Sequence, residues 1–425
     1  MYHIMISIHG TGCCLIDFLY PKTDFSAPMF IAKLSRKAGD GGLAVGKLVF
    51  AEDFERFVHT PYESALGEIA GGVPSHNLGG PAVVSLVHAA QVLGDGAAVS
   101  FYGSRGDDKT GDLMEEALLR AGFVPRGQAG SLLHLVHKTS KNPQAQQAPG
   151  PASYTLKRYT GLTSRTDVLS DPNYHDGHGE RTFINLIGAA GQFSCADLNV
   201  TGDFFDASII TFGGTALTPL IHDGLTEMLR KAKKRDALTV VNLVYDYRSE
   251  QTAPGKKWKL GAGDDAYGFI DLLIADRDEA LKTSGCSSAG EAAGWFLRRG
   301  CGAAVITSGT RPLHFAAGKG IFSPRSSDTL PVSKGIDREL AAHPEKRGDT
   351  TGCGDNFAGG LIAGIAEQLT RVRLGKLDLR EACIPGVVAG GYACFTLGGV
   401  FYEKQPGEKR ELLAPFINEY KEELG

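Results

Sequence analysis

Short apolar runs recur along the chain, each followed by a longer segment whose apolar positions return every three or four residues. The runs include "HIMISIHG", "AAVSFYG", "ASIITFGG", "ALTVVNLVYDY", "IDLLIAD" and "GAAVITSG". Runs of this length with little alternation are the pattern of strands covered on both faces. The segments between them fit helices. "GGPAVVSLVHAAQVLG" places Val83, Val84, Val87, Ala90 and Val92 on apolar positions and ends at Gly94. "TGDLMEEALLRAGF" closes at Gly122, and a helix runs through "LIHDGLTEMLRKAKKR", whose basic end complements a helix C-terminus. A further helix follows Gly354, with Phe357, Leu361, Ile365 and Leu369 on one stripe. Gly359, Gly360 and Gly364 leave room there for a close neighbour. The order strand, glycine loop, helix, strand predicts parallel βαβ units in one doubly wound α/β sheet, and no internal repeat breaks it.

Two stretches interrupt the alternation. Residues 20–76 mix polar, glycine-rich and short apolar pieces over a length too great for one loop in a compact core, which predicts an inserted subdomain or lid. Residues 137–153, "HKTSKNPQAQQAPGPAS", are polar and rich in proline and glutamine, and read as an excursion from the core. The expected organisation is one domain over 1–425 with lid insertions at 18–76 and 130–182.

Composition changes this picture little. With 425 residues, 42% hydrophobic, 22% charged and a net charge of -4, the chain can bury a large core and has no field that favours nucleic acid or a membrane surface. Its eight cysteines lack CxxC spacing and sit mostly in apolar runs, which predicts reduced thiols and a cytoplasmic location. The apolar start lacks a basic region and a small-residue cleavage site, so it reads as a buried strand. "HGTGCC" lacks the third glycine of a dinucleotide fingerprint. There is no GxxxxGK[ST], no GxSxG and no HExxH, and the histidines of "DPNYHDGHGE", His175 and His178, read as loop residues.

The chemistry concentrates in "DTTGCGDNFAGG", residues 349–360. A loop of Gly352, Cys353 and Gly354 ahead of a helix offers unpaired N–H groups and a positive dipole end, which suits an anionic phosphoryl group. Asp355 in the first turn would then face the hydroxyl that meets that phosphate, supplying an acceptor for its proton. Taken alone, Asp355 is equally a helix cap. Asp17, beside the first strand, is either a ligand contact or a turn cap. Asp276, Asp278 and Glu279 in "LLIADRDEA" are either a charged site or a solvated first turn.

The stretch "DTTGCGDNFAGG" resembles the C-terminal signature of the PfkB or ribokinase-like carbohydrate kinases, DTxGAGDxF, with Cys353 for the alanine. "HGTGCCLID" is similar to the family's first strand and its substrate aspartate, and "LGGPAVVSLVHAAQVLG" resembles its GG signature. "GERTFINLIGAAGQF" is similar to the strand and turn after the lid. The resemblance implies a three-layer α/β/α sandwich with a mainly parallel central sheet and a smaller lid. It also implies ATP and Mg²⁺ as cofactors and phosphoryl transfer to an alcohol group of a sugar-like small molecule. By the same resemblance Asp355 is the general base and Gly352, Cys353 and Gly354 form the anion hole. Asp17, Gly79, Gly80 and Arg181 bind the acceptor; Thr307, Gly309 and Glu279 line the nucleotide site; and Glu279 with Asp276 holds magnesium. Asp276 stands where the family has asparagine, and Val84 where it often has a sugar-contacting asparagine. Asp349 implies a monovalent cation such as K⁺, and paired lids imply a homodimer. A nucleoside acceptor and a catalytically silent sugar- or nucleotide-binding regulator are the alternatives.

Overall fold

The computed structural model describes residues 5–37, 39–126, 152–177, 179–198, 202–318, 320–348, 350–371 and 375–425. Fifteen strands are described: β1 Ile6–Gly12, β2 Leu15–Tyr20, β3 Leu48–Phe50, β4 Ser75–Gly79, β5 Ala97–Gly106, β6 Val124–Pro125, β7 Ser153–Tyr159, β8 Arg165–Asp171, β9 Glu180–Leu186, β10 Ile209–Gly213, β11 Leu238–Asn242, β12 Leu272–Asp276, β13 Ala303–Ser308, β14 Arg311–Ala317 and β15 Arg325–Leu330. Ten of them form one sheet in the order β15-β14-β13-β12-β11-β10-β1-β5-β7-β6. From β13 to β6 every pairing is parallel, and β14 and β15 close one edge as antiparallel strands.

Both faces of this sheet are dry, which explains the unbroken apolar runs. On one face Ile209, Val240, Ile274 and Val305 pack under the helices Pro81–Leu93, Cys353–Arg371 and Leu379–Tyr392. On the other, Ile210, Val241, Leu273 and Ile306 meet the helices Leu225–Lys233 and Ala289–Arg299. The single helix expected through residues 220–235 is broken at Gly224 into Pro219–Asp223 and Leu225–Lys233.

A second sheet has the order β3-β9-β8-β2-β4 and its own apolar cluster around Phe25, Phe30, Phe54 and Ile184. Its strands reach from residue 15 to 79 and from 165 to 186, beyond the expected limits of 18–76 at both ends. Within the expected second insertion, β7 instead pairs with β5 in the large sheet, from Ser100↔Ser153 to Gly106↔Tyr159. Backbone pairing holds β7 there together with Tyr154 and Leu156, which pack on the core, while the charged Lys157 and Arg158 hid the strand from a hydrophobicity reading. Most of the polar stretch 137–153 lies outside the described residues.

The glycines of the Cys353–Arg371 helix make the close approaches that their spacing predicted. A Cβ on Gly359 would lie 2.5 Å from Ser85 O and 2.7 Å from His88 Cβ; on Gly360, 2.7 Å from Pro385 O; and on Gly364, 2.8 Å from Ala382 O. Gly359→Ala is therefore expected to destabilise the protein by about 1–3 kcal/mol. That loss outweighs the roughly 1 kcal/mol that alanine gains in helix propensity. Urea unfolding midpoints check it, and an unchanged or raised midpoint would show that the two helices part freely.

Candidate functional site

The carboxyl ends of the parallel strands β1, β10, β11, β12 and β13 share one edge of the large sheet, where open α/β sheets present ligand sites. The Cys353–Arg371 helix begins above this edge. Gly352, with φ of 76°, turns the chain into it, and a Cβ there would fall 2.5 Å from Gly399 Cα. Gly352 O accepts from Asn356 N at 2.8 Å, and Cys353 N lies 3.4 Å from Thr350 O. Gly354 is exposed, and a Cβ built on it meets nothing within 4 Å. The Cys353 N–H is thus taken by Thr350, while the helix start at Gly354 borders open space, an arrangement that suits an anion.

Asp355 is half-buried in this first turn, and burial pushes its carboxyl pKa up to about 7. Two neighbouring groups register its charge. The buried Cys13 thiol is pushed up by burial first, and then by Cys14, Asp17 and Asp355. Glu279 is held well above the usual carboxylate range by burial, then by Asp276, with Asp355 contributing. Asp355 thus lies within electrostatic reach of Glu279, and Cys13 lies within reach of both Asp17 and Asp355.

The Asp17 side belongs to the second sheet. Asp17 sits within β2 opposite Asn77 of β4, and is buried. The chain then passes through Gly79 and Gly80. A Cβ on Gly79 would overlap Asp17 Oδ2, and one on Gly80, whose φ is 105°, would fall 2.5 Å from Cys13 O. Asn77 Nδ2 donates to Leu397 O at 2.8 Å and Val400 O at 3.1 Å, which ties this strand to the segment that packs on Gly352. Val84 is buried, and a Cβ on Gly399 would lie 2.9 Å from its Cγ2. The position where the family often has a sugar-contacting asparagine is here packed against that segment.

Arg181 does not sit beside Asp17. From β9 its guanidinium donates to Thr351 Oγ1 at 2.5 Å and to Thr350 Oγ1 at 2.6 Å, over the ring of Phe183. Arg181 therefore bridges the second sheet to the loop just ahead of Gly352. Among the described residues its side-chain partners there are the neutral hydroxyls of Thr350 and Thr351.

Asp276 and Glu279 form a reciprocal cap on the helix Arg277–Ser284. Glu279 N donates to Asp276 Oδ1 at 2.7 Å, and Asp276 N donates to Glu279 Oε2 at 2.8 Å. Each side chain keeps one carboxylate oxygen outside the cap. Among the described residues no group of three His, Cys, Asp or Glu side chains is placed to hold a metal by itself. That donor set fits magnesium bound mainly through nucleotide phosphates and water. Thr307 lies beside Asp276 in the strand register, and Gly309, with φ of 61°, turns into β14 over open space. Asp349 lies outside the described residues, as does His178.

The model of the pfkB family carbohydrate kinases matches residues 173–402, more than half of the chain. The chain belongs to this family.

Solved structures of similar fold include PfkB-like and related kinases. Adenosine kinase from Schistosoma mansoni is 15% identical, with a TM-score of 0.65, over 93% of this chain and 97% of that one. Adenosine kinase from Sinorhizobium meliloti is 18% identical, with a TM-score of 0.64, over 97% and 100%. Ribokinase from Thermotoga maritima is 16% identical, with a TM-score of 0.59, over 97% and 99%. These likenesses establish the ribokinase-like fold. No helix among the described residues of this PfkB-family chain is long and apolar enough to cross a membrane.

The family signature drew attention to Asp355 and its loop but not to the residues that brace them. Asn356, His88 and Lys409 meet behind the loop, from three different helices. Asn356 was in view as the neighbour of Asp355. Lys409 carries no local signal, because only docking of the final helix Glu408–Glu423 brings it there.

Proposed function

We propose that this chain is an ATP-dependent kinase that transfers the γ-phosphoryl group to a hydroxyl of a sugar or nucleoside. The observation that carries this reading is Asp355: a half-buried carboxylate poised near neutral pH, beside the start of a helix and close to Cys13, which Asp17 also approaches. A base matched to the working pH is what proton removal from an alcohol requires. Asp17 and the Gly79–Gly80 turn hold the acceptor. Asp355 takes the proton from its hydroxyl as the new O–P bond forms, and the N–H groups of the 352–354 loop stabilise charge on the group in transit. Arg181 adds positive charge on the same side, at Thr350 and Thr351. Bound magnesium would neutralise phosphate charge, with the free oxygens of Asp276 and Glu279 holding it directly or through water. Thr307 and Gly309 line the nucleotide side. The second sheet, which carries Asp17 and Arg181, is the lid, and its closure over the site would exclude water.

A nucleoside acceptor is the second reading, because adenosine kinases stand beside a sugar kinase and a ribokinase among the similar folds. A panel of nucleosides and free sugars with MgATP, read as ADP release, tests both. Nucleotide binding without turnover on any acceptor would instead favour a silent regulator.

The base assignment also sets a pH profile. Below about 7 Asp355 carries its own proton and cannot take another, so kcat/KM for the acceptor is expected to fall about tenfold per pH unit on the acid side and to level off above. A flat profile between pH 5.5 and 8 would exclude Asp355 as the base.

A further inference from the structure

The amide of Asn356 is saturated on both ends. Its Nδ2 donates to Gly352 O at 2.9 Å and to Gly399 O at 2.8 Å. Its Oδ1 accepts from Lys409 Nζ at 2.9 Å and lies 3.0 Å from His88 Nδ1. The reverse orientation would set an NH₂ group against an ammonium and two carbonyls against an oxygen, so the donor–acceptor pattern fixes the amide. His88 must then carry its proton on Nδ1. All three side chains are buried, at 1%, 2% and 4% exposure for His88, Asn356 and Lys409.

A buried lysine is costly unless its ammonium has a partner, and the expense here secures one amide. Burial lowers the Lys409 pKa to about 7, against a raising effect from Glu403, whose Oε1 also accepts from Lys409 N at 2.8 Å. What the amide secures is Gly352 O, which receives Asn356 twice, from the backbone N–H at 2.8 Å and from Nδ2. Gly352 C=O and Cys353 N–H belong to one planar peptide and point to opposite sides of it. The Cys353 N–H turns the other way and reaches Thr350 O at 3.4 Å, so this peptide is held from both sides. Asp355 is the residue between this peptide and Asn356.

We propose that Lys409, acting through Asn356, is a positioning residue that fixes the Gly352–Cys353 peptide and so aims the Asp355 carboxylate at the acceptor hydroxyl. This rests on the kinase reading above, in which that loop and Asp355 do the chemistry.

The test is a mutant cycle of Lys409→Met, Asn356→Ala and the double variant in the full chain, with Lys409→Gln beside them. Lys409→Met is expected to lower kcat by tens of fold to about 100-fold, the scale of a small misplacement at a reacting centre. KM for ATP and for the acceptor should stay within about twofold. The double variant should be no worse than Asn356→Ala alone, because one side chain acts through the other. Lys409→Gln, which keeps a neutral N–H donor, should retain more turnover than Lys409→Met. A kcat of Lys409→Met within twofold of the parent, additive losses in the cycle, or equal losses for Met and Gln that track a fall in melting temperature would each overturn the proposal. Asp355→Asn reports separately on the kinase reading: if that variant keeps turnover, the base assignment fails whatever Lys409 does.

Discussion

Asp355→Asn is expected to lower kcat by about 10²–10⁴-fold, the range contributed by a positioned general base. Asparagine keeps the shape and the first-turn position but cannot accept the hydroxyl proton, so KM for both substrates should change little. The same change should affect stability in the opposite direction. The folded-state pKa of Asp355, about 7, lies above the usual carboxylate value, so the fold favours the protonated form. That contribution is complete below about pH 4 and is lost as pH rises through 7. At pH 8 the parent therefore holds a half-buried charge that the variant lacks. Asp355→Asn should be more stable there by about 1–3 kcal/mol after solvent screening, with the gain vanishing at pH 4. Steady-state kinetics and melting curves at the two pH values check both halves. Retained turnover would remove Asp355 as the base, and an unchanged melting temperature at pH 8 would show that its charge is not strained in the free protein.

Gly352→Ala is expected to lower kcat by about 10²–10³-fold, the effect of losing one donor to a developing charge. The backbone at Gly352 has a φ of 76°, which costs an alanine roughly 1 kcal/mol or more. The added Cβ would also sit 2.5 Å from Gly399 Cα, and backbone cannot swing aside as a side chain can. The 352–354 loop and the 397–400 segment must move apart, displacing the helix start and Asp355 from the site. Stability should fall with activity, and the nucleotide KM should rise. A variant with kcat within a few-fold of the parent would show that the loop's N–H groups do not contact the transferred group.

How far the sequence carried depended on whether a feature is local. Strands such as Ile209–Gly213 and Ala303–Ser308 were plain because both faces are covered, so nearly every position is apolar. The helix start at Cys353 was plain because glycine and an acid at that spacing have few other uses. β7 and the edge strand β15, "RSSDTL", were not, since polar side chains facing solvent look like loop and only hydrogen bonding to a neighbour makes them strands. Asp276 and Glu279 show a middle case. Their spacing is that of a capping box, which they form, and the same spacing served the expectation of a metal site. Arg181 was expected at the acceptor, but its reach from β9 to Thr350 and Thr351 depends on how the two sheets meet. The Lys409–Asn356 contact spans 53 residues between helices and leaves no trace in either segment.

The strand order fixes when this chain can fold as well as how. β1 lies between β5 and β10, so its second neighbour begins at Ile209, and β2 takes its parallel partner from Arg165–Asp171. During synthesis residues 6–20 wait for about 150 more before the small sheet, and about 190 more before the large sheet, can close around them. High contact order of this kind makes for slow folding and for an aggregation-prone nascent chain. The strand that delivers Asp17 to the site is made well before its parallel partner and secured late.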